Sequence, residues 1–200
     1  FQSKKIAGRT EKYWQIQLTY NSTLNLILEL NLVVLLGLFL VLGILMTALL
    51  SLLDKIKEVS VTQRDKGTSF ENLMVQYFLN EPKYAEIYTD VLSYSDWVEK
   101  YGEKLNITDK RDYGIDLVAV TIEGDFHPIQ CKNYNTTKIQ KKDIDSFLGG
   151  SGKSYFAYRY IVASTDDWTD NAKSSLVDAH PPVATISLLD LEGSLIDWSQ

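Results

Sequence analysis

Asp116 stands immediately before an apolar run, Leu117-Val118-Ala119-Val120, and the turn Glu123-Gly124-Asp125 separates that run from Ile129-Gln130-Cys131-Lys132. Two strands joined in this way bring Asp116, Gln130 and Lys132 to one edge of a sheet, and a spacing of two puts Gln130 and Lys132 on the same face. A carboxylate there can hold magnesium, a hard cation that prefers oxygen, and the main-chain carbonyl of Cys131 can supply another oxygen. Lys132 can orient or deprotonate a water, or stabilise phosphate charge, while a bound metal lowers the pKa of that water. Glu71, on a helix expected beside the sheet, adds a further carboxylate. The set suits phosphodiester hydrolysis. Each member also has a plain structural use: Asp116 as a turn acid, Gln130 and Lys132 as solvated strand residues. It is their combined order that points to chemistry.

The elements that must position these residues form a mixed α/β rhythm from about Val61 onward. Lys66 to Leu73 is expected to open a helix, capped by Thr68 or Ser69, with Phe70, Leu73, Met74, Tyr77 and Phe78 as its buried stripe and Pro82 marking its end. A less regular aromatic stretch containing Tyr94 and Trp97 follows. After the strand pair come a short helix at Asp143–Leu148, a strand at Tyr158–Thr165, a capped helix at Thr169–Val177 and a last strand at Val183–Leu188. Strands alternating with helices place a mixed sheet between helical layers. Lys138, Lys141 and Lys142 follow the second strand and suit phosphate contacts, as they would also suit a solvated helix start. Gly149-Gly150-Ser151-Gly152-Lys153-Ser154 imitates a phosphate-binding loop. The motif requires glycine at position 147, which is Phe, and it should follow a strand. It is expected to be a flexible loop near the active edge whose Lys153 could meet a phosphate, and no ATP site. His127 and His180 are expected to be structural, and Cys131 a buried thiol facing away from Gln130 and Lys132.

One cysteine and two histidines leave no disulfide framework and no cysteine-rich or histidine-rich metal site. A lone thiol fits a reducing compartment, most simply a cytoplasm. Twenty Lys and Arg against 26 Asp and Glu give a net charge of −6, which argues against nonspecific coating of nucleic acid and leaves room for a locally basic cleft. From Leu30 to Leu53 no residue is charged, and at 1.5 Å per residue the run spans about 36 Å, enough for a bilayer core. Two readings compete. Residues 24–53 form a membrane anchor, or Met46 is the natural start and residues 1–45 are upstream or added sequence. Leu49, Leu50, Leu53, Ile56 and Val59 recur at helical spacing, as an amphipathic helix of a globular unit requires. The expected division is therefore 1–45, an apolar segment, and 46–200, the unit that carries the chemistry.

The pairing of Gly114-Ile115-Asp116-Leu117-Val118-Ala119 with Gln130-Cys131-Lys132 resembles the Asp…(Glu/Gln)-x-Lys core of the restriction-endonuclease-like superfamily. Gln130, together with Phe70-Glu71 on the first helix, is similar to its Mrr-like branch. More narrowly, Asp65 to Leu73, Asp112 to Ala119 and Ile129 to Lys132 resemble the N-terminal nuclease domain of Type ISP restriction–modification enzymes and related large helicases, over roughly residues 47–200. The resemblance implies an α/β three-layer fold with a central mixed sheet, here preceded by a long apolar N-terminal helix. It implies a magnesium-dependent DNA endonuclease, with manganese able to substitute. Asp116, Gln130, Lys132 and Glu71 would be catalytic, Asp116, Glu71 and the Cys131 carbonyl would be metal ligands, and Lys138, Lys141, Lys142 and Lys153 would meet DNA. Double-stranded DNA is the implied partner, with a second copy or a collision partner for double-strand cleavage. The resemblance further implies a parent chain with a helicase-type ATPase, an adenine methyltransferase and a target-recognition domain, ATP being required only there. Gln130 in place of Glu removes one metal-binding charge. A membrane-anchored nuclease and a non-catalytic DNA-binding module of the same fold are the alternatives.

Overall fold

The computed structural model describes residues 30–38, 40, 43, 48–107, 111, 113–134 and 137–199. The chain separates into two compact units, Phe1–Leu45 and Met46–Gln200. In the first, residues 30–38, 40 and 43 are helical, and eight Leu and Val side chains between 30 and 40 are 56–68% exposed. The described residues do not support the expected long apolar N-terminal helix, and among them no helix is long and apolar enough to cross a membrane. Met46, the expected natural start, lies outside the described residues, as does Asp112.

The second unit opens with helix α1 (48–59). Leu49 is completely buried, and Ala48, Leu52 and Leu53 pack against the same core, while Leu50 and Val59 are exposed. The end of the uncharged run thus belongs to the core of this unit. Helix α2 (Gln63–Asn80) starts earlier than expected. Its cap is Thr62, not Thr68 or Ser69: the Asp65 amide donates to Thr62 Oγ1 (3.1 Å) and the Thr62 amide donates to Asp65 Oδ2 (2.9 Å). This reciprocal box satisfies two of the free N–H groups of the first turn. Phe70, Met74, Tyr77 and Phe78 form the buried stripe, and Pro82 begins the short helix α3 (Pro82–Ala85).

The aromatic stretch that read as irregular is strand β1 (Tyr88–Ser93) followed by helix α4 (Tyr94–Tyr101), whose cap is Ser93. Then come β2 (Leu117–Thr121), β3 (Phe126–Lys132), a 3₁₀ turn (Lys141–Asp143), α5 (Asp145–Gly150), β4 (Arg159–Ala163), α6 (Asp170–Ser174), β5 (Val183–Ile186) and α7 (Leu188–Glu192). The strands form one sheet in the order β1-β2-β3-β4-β5. β1–β2 and β2–β3 pair antiparallel, whereas β3–β4 and β4–β5 pair parallel. Side-chain alternation divides the core in two. Leu117 and Ala119 join α1, α2 and α7 on one face. Val118 and Val120 join α4, α5 and α6 on the other. The result is the expected mixed sheet between helical layers. Leu49→Ala should lower the unfolding free energy of the full chain by about 2–5 kcal/mol, whereas Leu50→Ala on the exposed face should stay within about 0.5 kcal/mol. Denaturant titration of both variants checks which face of α1 is core.

Candidate active site

Asp116 is the residue at which β2 begins to leave the sheet. The β2–β3 register ends at the pair Leu117–Ile129, and Asp116 continues it by one main-chain bond, its N–H donating to the Ile129 carbonyl at 3.0 Å. On its other side the Asp116 carbonyl accepts from the N–H of Tyr94, the first residue of α4, also at 3.0 Å. With both main-chain groups held, the side chain turns towards β3, where Oδ2 accepts the Cys131 N–H at 2.6 Å. Cys131 thus lies beyond the last β2–β3 pair, and its amide is satisfied by a carboxylate instead of a strand.

The charges expected to share this site all act on the Cys131 thiol. Burial pushes the Cys131 thiol well above its ordinary value; the Asp116 carboxylate and then Glu71 add to that rise, and Lys132 opposes it. Glu71, in the third turn of α2, arrives from the opposite helical layer, and its Oε1 lies 3.7 Å from the position of a Cβ on Gly67. Asp116, Glu71 and Lys132 are all half-buried. Asp116 and Lys132 thus lie at one end of the β2–β3 pair, and Glu71 is near enough to act on the Cys131 thiol between them.

Gln130 occupies a different setting. It is 2% exposed, and its Oε1 is buried without a hydrogen-bond partner. A Cβ on Gly114 would meet Gln130 Nε2 and Ser146 Oγ at 2.9 Å each, so the amide lies on the α5 side of the sheet. Gly114 has a φ of +83°, a conformation that side chains resist. Gly114 and Ser146 are positions that sequence reasoning missed. The available signal was the glycine two residues before Asp116, which read only as a strand boundary.

The lysines expected to meet DNA are dispersed. Lys138, Lys141 and Lys142 are exposed after β3, and Lys141 is engaged by Asp145 one helical turn away. Lys153 is exposed beside an open cleft that Tyr113 and Tyr155 also line. The glycine-rich segment is not the expected flexible loop throughout. Gly149 and Gly150 belong to α5, and Ser151 is buried, its hydroxyl donating to the Phe147 carbonyl. His127 accords with a structural role, its Nδ1 lying 2.9 Å from the Tyr88 hydroxyl. Among the described residues no three Asp, Glu, His or Cys side chains gather at metal-ligand spacing.

A mixed five-stranded sheet between helical layers, with an Asp at the start of one central strand and Gln-x-Lys at the end of its neighbour, defines a restriction-endonuclease-like nuclease domain. The chain belongs to the restriction endonuclease family Mrr_cat_2, whose model matches residues 79–200. It is similar to the ATP-dependent Type ISP restriction–modification enzyme LlaBIII, solved bound to DNA. The identity is 36%, the TM-score 0.60, and the match covers 74% of this chain and 9% of that one. The chain therefore corresponds to only a small part of that enzyme's length. MspJI restriction endonuclease, solved with a 27-mer oligonucleotide, matches at 11% identity and a TM-score of 0.32, over 68% of this chain and 32% of that one. No curated protein sequence matches. Gly114→Ala should cost about 1–3 kcal/mol of stability, and clearly more than Gly124→Ala, whose φ is also positive but whose surroundings are open. Equal losses in denaturant unfolding would show that the crowding at Gly114 is unimportant.

Proposed function

We propose that residues 46–200 form a metal-dependent endonuclease domain that hydrolyses phosphodiester bonds in double-stranded DNA. The observation that carries this reading is the convergence of Asp116, Glu71 and Lys132 where the β2–β3 ladder ends, with Asp116 fixed through the Cys131 amide. DNA as substrate is supported by family membership and by the DNA-bound state of the Type ISP enzyme that the chain resembles.

The donor set fits a hard divalent cation. Every candidate donor is an oxygen, and the buried Gln130 Oε1 is an acceptor without a partner, a condition that costs free energy unless something outside the protein satisfies it. Asp116, Glu71 and the Cys131 carbonyl would hold magnesium, with manganese able to substitute. Such an ion would supply a water of lowered pKa and charge neutralisation at the phosphate. Asp116 binds and is kept from rotating by the Cys131 amide. Lys132 orients the attacking water or takes its proton, and its ammonium offsets charge on the phosphate. Lys138 and Lys142, exposed after β3, contact the DNA backbone, Lys141 does so on release from Asp145, and Lys153 does so from the cleft.

We further propose that the domain is the cleavage module of a larger restriction–modification chain with helicase and methyltransferase parts, ATP serving only that motor and double-strand cleavage requiring a second nuclease. Its compartment would be the cytoplasm. The exposed Leu and Val residues between 30 and 40 favour a second reading, in which this nuclease is tethered at the cytoplasmic face of a membrane. The test is nicking of supercoiled plasmid by the full chain with magnesium or manganese. Asp116→Asn, which keeps an acceptor for the Cys131 amide, and Lys132→Ala should each reduce nicking about a hundredfold or more with the thermal melt unchanged. Nicking that survives either substitution, or that persists in EDTA, would refute the assigned site.

A further inference from the structure

The cleft beside α5 has the size and surface of a ligand site. Its volume is about 560 Å³, within the range of roughly 300–1,000 Å³ usual for small-molecule pockets. Tyr113, with the Arg111 guanidinium over its ring 5.6 Å from the centroid, and Tyr155 present aromatic surface to it. Tyr94 lies deeper, Ser146 offers a hydroxyl and Lys153 an exposed ammonium, while the one carboxylate in the lining, Asp145, is paired with Lys141. A Cβ on Gly149 would meet nothing within 4 Å, and one on Gly150 would overlap Tyr113, whose side chain lies against that glycine.

The cleft shares its walls with the catalytic loop. Tyr94 donates its main-chain N–H to the Asp116 carbonyl at 3.0 Å. Tyr113 lies three residues before Asp116. Ser146, on the cleft side, and the Gln130 amide both crowd Gly114. A group seated in the cleft is thus held one loop away from the residues proposed to cut.

Aromatic faces with an ammonium beside them match one chemistry that a DNA strand can offer here: a base taken out of its stack, with its phosphate. Stacking on tyrosine accepts every base, because each has a π-face. We infer that this cleft binds an unpaired nucleotide of the DNA strand next to the scissile phosphate, an inference that rests on the nuclease reading above for its orientation but not for the binding itself.

Gly149 permits a direct test, because a side chain there fills the cleft without meeting the fold. Fluorescence anisotropy of the full chain, with calcium in place of magnesium, would measure a labelled single-stranded thymidylate 10-mer and a fully paired 20-bp duplex. Gly149→Leu should weaken the 10-mer about tenfold or more and the duplex less than twofold. Gly149→Ala should leave both unchanged, and its melt and that of Gly149→Leu establish that each protein is folded. Lys153→Ala, at an exposed position, should weaken the 10-mer more than the duplex and serves if Gly149→Leu does not fold. No binding of the 10-mer by the unaltered chain, or equal losses for both ligands, would overturn the inference. Plasmid nicking with unaltered 10-mer affinity in Gly149→Leu would defeat the cleft and leave the nuclease. Selective loss of the 10-mer in a chain that never nicks plasmid would do the reverse.

Discussion

The position of Asp116 is fixed by three hydrogen bonds that run in three directions, and the site is organised around it. Its N–H ties it to β3, its carbonyl ties it to the start of α4, and its carboxylate takes the Cys131 amide, beyond the last β2–β3 pair. None of the three can be given up singly without exposing a donor or acceptor in the middle of the sheet. The order of the strands follows the same constraint. β2 must lie between β1 and β3, and its side chains must alternate between two helical layers, for Asp116 to reach the end of β3 at all.

Glutamine at position 130 changes the electrostatics of the site without changing its donor atoms. A carboxylate at position 130, 2% exposed, would add a negative charge where burial penalises charge, one residue from the Cys131 thiol on which Asp116 and Glu71 already act. The amide keeps an oxygen in that place and adds none of this repulsion. In the proposed site, two carboxylates, one lysine and a bound dication would sum to +1, so no net negative charge would oppose an incoming phosphate.

Much of this was legible in the sequence, and where it was not the cause is local. The Asp116 and Gln130–Lys132 strands were readable because an apolar run bounded by a glycine turn admits few other structures. β1 was hidden by a register irregularity between Tyr88 and Asp90, which breaks the alternation that marks a strand. The start of α2 was misplaced because Thr62 and Asp65 form a box that precedes the apolar stripe by several residues. Two consecutive glycines at 149 and 150 read as a loop, since glycine is a poor helix former, yet the close approach of Tyr113 requires Gly150 inside α5. Within the uncharged run from Leu30 to Leu53, the helical spacing of Leu49 and Leu53, and not the charge pattern, marks the last turns as part of a globular core.

Gly114 shows how a residue with no reactive atom comes to govern chemistry. Its left-handed backbone lets the chain turn into Asp116, and its missing side chain leaves room for the Gln130 amide and the Ser146 hydroxyl. Under the proposed function, a genetic screen that scored only loss of cleavage would group Gly114 with the acids and the lysine. The distinction would emerge in recovery: small changes at Ser146 that vacate space could restore a Gly114 variant, whereas no neighbouring change could stand in for a missing carboxylate.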